Sequence, residues 1–79
     1  MMKNFINFIN LLTNEDIIRI LQIQEFIDEF DTVILKKTKI TGKSLMLIEK
    51  EDFLRDGLAI GPTILIMEFI RKLKEGICN

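Results

Sequence analysis

Between Ile40 and Leu73 the chain is a series of short apolar stretches cut by Gly42, Gly57 and Gly61. No run alternates apolar and polar residues for long enough to make a strand. Ile64-Leu65-Ile66-Met67 has β-branched character, but it lies inside a longer helical pattern that follows Pro62. Apolar residues recur instead at spacings of three and four, which is the signature of helices with one buried stripe. Such a chain is directed to several brief helices that pack on one another.

The local signals divide it further. Thr13 followed by Asp16 has the form of a capping box with a shorter acid. Ile17, Ile20 and Leu21, with Ile18 beside them, then give a helical stripe running to Gln22 or Gln24. Phe26, Ile27 and Phe30 are a second apolar triplet at helical spacing. Asp31-Thr32 is expected to cap a turn leading into Val33, Ile34 and Leu35. Lys36-Lys37-Thr38-Lys39 makes a basic end, where cations suit the negative pole of a helix. Gly42 permits a backbone shape or a close approach that a side chain would block. Ser44-Leu45-Met46-Leu47-Ile48 is nearly all apolar and is expected to be a central helix.

Glu49-Lys50-Glu51-Asp52 opens the next helix with acids at its positive pole. Gly57 is placed to close it in the left-handed conformation. Leu58-Ala59-Ile60 is expected to cross back through the core, and Gly61-Pro62 to start the last helix with proline at its first position. In front of all this, Phe5, Phe8, Ile9 and Leu12 fall at i, i+3, i+4 and i+7. They predict an amphipathic leading helix over residues 1–12, too short to span a membrane. Asn7 and Asn10 interrupt its apolar run and no small-residue cleavage site follows, so it does not read as an export signal. The cytoplasm is the expected compartment.

Composition narrows the chemistry. Seventy-nine residues, 48% of them hydrophobic, are enough for one core and little more. The net charge of −1 provides no general attraction to nucleic acid or anionic lipid. Cys78 is the only cysteine, so no disulfide forms within the chain. With no histidine, Ser44 and Cys78 lack the usual base of a nucleophilic pair. Glu25, Asp28 and Glu29, or Glu51 and Asp52, read as solvated helix faces rather than paired catalytic acids, since a cleft is also required. No carboxylates show calcium-loop spacing. Gly57-Leu58-Ala59-Ile60-Gly61 lacks the lysine and hydroxyl of a phosphate-binding loop. The reading is of a non-enzymatic chain with no cofactor and no metal.

The ordered series from Thr13 to Leu73 resembles a sterile alpha motif (SAM) domain. The similarity is strongest from Ile40 to Ile70, where Ile-x-Gly, an apolar turn, an acidic helix opening, Gly-Leu-x-Ile-Gly and a final helix follow in register. Gly61-Pro62 followed by Phe69 is similar to the SAM-like modules of fungal type. The resemblance implies an all-α, compact five-helix SAM-like bundle over residues 13–76, with residues 1–12 as a short extra helical segment. It implies a protein–protein interaction module, forming homotypic or heterotypic contacts with other SAM domains, that recruits or clusters partners as a signalling scaffold. RNA-hairpin binding is the alternative that the same family implies.

The family's contacts direct attention to two surfaces. Glu49, Glu51, Asp52 and Asp56 are candidates for an acidic middle face, with Phe53 pointing inward. Gly61, Thr63, Ile64, Leu65 and Glu68 are candidates at the start of the last helix. In that helix Ile66, Ile70, Leu73 and Ile77 share one side, flanked by Phe69 and Met67. Glu68, Arg71, Lys72 and Glu75 fall opposite, and Ile64 and Leu65 project toward the polar half. Thr63 stands where the family often has a basic residue, so the contact here is expected to be more hydrophobic than electrostatic, unless Phe5 or Phe8 covers it. For RNA, Lys36, Lys37, Lys39 and Lys43 form one basic cluster and Arg71, Lys72 and Lys74 another. Against RNA stand the uncharged Thr63-Ile64-Leu65 and the lack of Trp or Tyr for stacking.

Overall fold

The computed structural model describes the backbone of residues 7–78, and side chains as far as Gly76. Phe5 and the side chains of Ile77 and Cys78 therefore lie outside the described residues. Those described form an all-helical bundle: a helical turn over residues 7–10 (α1), then Asn14–Ile23 (α2), Glu29–Thr38 (α3), Gly42–Leu45 (α4), Lys50–Arg55 (α5) and Ile60–Cys78 (α6).

Helix α2 begins at the expected box. The Asp16 N–H donates to Thr13 Oγ1 (3.2 Å) and the Thr13 N–H donates to Asp16 Oδ2 (3.0 Å). These bonds favour the charged carboxylate and hold Asp16 below its ordinary range, the main-chain bond from Thr13 contributing most. The next cap lies earlier than expected. Asp28, not Asp31-Thr32, starts α3, because Asp28 Oδ1 accepts from the Asp31 N–H (2.9 Å) while Asp31 Oδ2 accepts from the Asp28 N–H (3.1 Å). The Asp31 N–H lowers the pKa of Asp28, whereas burial raises that of Asp31. Phe26 and Ile27 belong to the connection before this cap, half-buried, and Phe30 is exposed. α2 and α3 run antiparallel, as two side chains show. Asn14 Nδ2 donates to the carbonyls of Leu35 (3.3 Å) and Ile40 (2.8 Å), and at the other end Gln22 Nε2 donates to Thr32 Oγ1 (3.2 Å).

Helix α4 also differs from expectation. Gly42 is its first residue and the helix ends at Leu45, so the apolar run to Ile48 is not one central helix. Leu45 is buried, but Leu47 is 81% exposed. Position 42 has room only for glycine because α1 lies against it. The Gly42 N–H donates to the Leu12 carbonyl (3.0 Å), and a Cβ at Gly42 would stand 2.7 Å from the Ile9 carbonyl carbon. Ile9 is buried and Leu12 half-buried, whereas Phe8 and Leu11 are exposed. The leading segment thus packs on the same body through its last turn.

Helix α5 opens as expected, with Asp52 Oδ2 accepting from the Glu49 N–H (2.9 Å). It closes at Gly57, φ 98°. The Leu58 N–H then reaches the Phe53 carbonyl and the Gly57 N–H the Leu54 carbonyl, each at 3.1 Å. This is a Schellman ending, and its apolar pair, Phe53 and Leu58, is buried. Only Leu58 of the expected core crossing is buried; Ala59 and Ile60 are exposed. α6 begins at Ile60, which moves Pro62 from the first helical position to the third. Proline is still tolerated there, since the first-turn N–H groups have no partner within the helix. The core joins Ile17, Ile18 and Leu21 of α2, Leu35 of α3 and Leu45 of α4 to Phe53, Leu58, Ile66 and Ile70. Phe26 and Phe69 meet edge to face beside it, ring centroids 6.2 Å apart.

Candidate partner-binding surfaces

On α5 the four acids do not form one equivalent row. Asp52 is committed locally: it caps Glu49 and approaches Arg55 Nη1 at 3.3 Å. Glu49, Glu51 and Asp56 are exposed and make no side-chain hydrogen bond among the described residues. Three carboxylates are thus exposed along α5 and at its two caps, while Phe53 is wholly buried beneath the helix.

The start of α6 divides the other group. Thr63 is fully buried and its hydroxyl donates to the Ala59 carbonyl (2.8 Å), so it has no surface to offer a partner. That is a correction of the expected contact set, and its cause is helical phase: Thr63, Ile66, Ile70 and Leu73 follow one another at three, four and three residues along the inner side. Ile64 and Leu65 lie outside that row and are 55% and 44% exposed. Gly61 and Glu68 are exposed too. Phe8 does not cover the apolar pair; it lines an apolar slot with Ile20, Phe69 and Leu73 on another side of the bundle.

Two features of α6 escaped the sequence. Ile60, assigned there to the core crossing, is 58% exposed and extends the apolar surface by one turn. An open groove also runs between α5 and α6, lined by Lys50, Ile64, Met67, Ile70 and Lys74 and by the Glu68–Arg71 ion pair. Further along, Arg71 is paired with both Glu68 and Glu75. The hydrogen bond from Arg71 holds the Glu68 carboxyl below its ordinary range.

The lysines cluster as expected at the end of α3 and the start of α4, where Lys36, Lys37, Lys39 and Lys43 are all exposed. Among the described residues no helix is long and apolar enough to cross a membrane. No family model, curated protein or solved structure matches the chain.

Proposed function

We propose that this chain is a protein–protein interaction module that recruits or clusters partners through homotypic or heterotypic contacts of the SAM type. The observation that carries the reading is the exposure of Ile60, Ile64 and Leu65 together over the first two turns of one helix, α6. Exposed apolar side chains grouped in this way mark interaction sites. The exposed carboxylates of Glu49, Glu51 and Asp56 are the second contact group in this reading.

The test replaces Ile64 and Leu65 together by lysine and follows mass by light scattering across concentration, with circular dichroism as the control for folding. In the homotypic form, the native chain grows in mass with concentration and the double variant stays monomeric at unchanged helicity. Growth that persists in a folded double variant removes the apolar contact from the reading. A native chain that remains monomeric throughout eliminates the homotypic form and leaves the heterotypic one.

A second reading, RNA-hairpin binding, rests on the exposed cluster of Lys36, Lys37, Lys39 and Lys43. Phosphate contacts release counterions, so a hairpin bound there dissociates steeply with added salt in a gel shift.

A further inference from the structure

Helix α6 carries two parallel rows of side chains. The inner row is Thr63, Ile66, Ile70 and Leu73, and it fills the core or borders it. The outer row, one residue round the helix, is Ile60, Ile64, Met67, Arg71 and Lys74, spaced four, three, four and three residues apart. That is the spacing of a seam on which a second helix packs. The first three of its residues are apolar and the last two cationic. Lys50 of α5 flanks it, lining the same groove as Ile64, Met67 and Lys74. Arg71 is balanced by Glu68 and Glu75, but Lys50 and Lys74 have no ion-pair partner among the described residues.

We propose that this groove receives an amphipathic helix from a different protein, one whose apolar seam is followed by acidic residues. The inference rests on the heterotypic form of the reading above and names the partner's chemistry. Charge decides against a second copy's α6. Paired in parallel, Lys74 would face its own equivalent, and like charges held together are destabilising. Paired antiparallel, Lys74 would be pressed onto the other copy's Ile60 and lose water without gaining a counter-charge. A second copy's α5 carries exposed acids, but its Phe53 is wholly buried and cannot serve as an apolar seam. An apolar helix ending in Asp or Glu avoids both costs, since Ile64 and Met67 take its seam and Lys50 and Lys74 its carboxylates. Helix-in-groove recognition uses anchors at this spacing.

The probe is a synthetic amphipathic peptide about three heptads long. It carries leucine at the seam of its first two heptads and glutamate around the third; a twin carries lysine in place of the glutamates. Each is titrated into the ¹⁵N-labelled full chain. The acidic peptide shifts the amides of Lys50, Ile64 and Met67 and binds more weakly as salt rises, and its twin binds at least about tenfold more weakly. Ile64→Lys costs about tenfold in affinity. Lys50→Glu with Lys74→Glu reverses the preference between the peptides. All three positions are exposed, so helicity is retained.

Absence of shifts, or equal affinity for the two peptides, overturns the proposal. So do concentration-dependent shifts of the same amides without peptide, which would give the groove to a second copy. Shifts produced by phosphatidylserine vesicles and not by peptide would give it to a membrane surface. Peptide-induced shifts gathered on another surface overturn the groove but leave the protein-binding reading standing.

Discussion

The start of α4 and the end of α5 are both glycine, but a methyl group added at the two positions meets different surroundings. At Gly42 it runs into backbone: the Ile9 carbonyl carbon at 2.7 Å, with the carbonyl oxygen nearer still, and Leu12 Cβ at 3.3 Å. At Gly57 it meets nothing within 4 Å. The backbone at Gly57 is left-handed, φ 98°, whereas Gly42 is an ordinary first helical residue. One glycine makes room for another segment and the other permits a turn. The first is a long-range constraint that fastens α1 to the body; the second is local and would serve equally in an isolated helix end.

The difference predicts unequal costs. Gly42→Ala forces a collision with main chain, which cannot move aside as a flexible side chain does. Overpacking at such a place reaches about 3 kcal/mol. Undocking of α1 relieves it only by exposing Ile9 and giving up the bond from the Gly42 N–H to Leu12. The expected result in chemical denaturation is a loss of about 3 kcal/mol, with reduced exchange protection at the Gly42 amide. A loss below about 1 kcal/mol would mean that the α1 contact is not part of the stable fold. Gly57→Ala keeps every contact and adds about 1–2 kcal/mol of left-handed strain. The smaller entropy of the unfolded alanine chain returns about 0.4–1 kcal/mol. The net loss is then about 1 kcal/mol, or about 4–8 °C in Tm for a domain of this size.

These two glycines also mark how far the sequence could be read. The Gly57 ending was legible because every signal for it is local: an acidic opening at Glu49–Asp52, a buried Phe53, then glycine and Leu58. The capping box of Thr13 and Asp16 was legible for the same reason. Gly42 was legible only as a position needing space or freedom, since nothing in its neighbourhood names Ile9, some thirty residues earlier, as the segment that needs the space. The α3 start was misplaced because Asp28 and Asp31 can both cap, and only their reciprocal hydrogen bonds, with Asp28 accepting from the Asp31 N–H, settle which is outermost. On α6 the sequence separated Ile64 and Leu65 from the buried row, and the structure exposes both. It failed at Thr63, whose hydroxyl is accommodated in the core by the carbonyl one turn back. Asn14, which ties α2 to the end of α3, gives no local sign of its partners.

A third position sharpens the contrast between room and conformation. The end of α2 has the same Schellman bonds as the end of α5, from the Phe26 N–H to the Leu21 carbonyl and from the Glu25 N–H to the Gln22 carbonyl, each at 3.0 Å. Its apolar pair is Leu21 and Phe26. Yet the left-handed residue here is Glu25, φ 61°. It combines the strain that Gly57 avoids with a negative charge at the negative pole of a helix. Glu25→Gly removes both, gaining about 1–2 kcal/mol of strain against about 0.4–1 kcal/mol of added unfolded-state entropy. The expected outcome is a net stabilisation of about 1 kcal/mol from the backbone, opposite in sign to Gly57→Ala, with removal of the charge adding to it. Glu25→Lys separates the two contributions: it keeps the strain and reverses the charge, so its gain is confined to about 0.3–1 kcal/mol and fades with added salt. Equal gains from glycine and lysine, both lost in salt, would mean that the relieved strain does no more than offset the entropy that glycine adds to the unfolded chain.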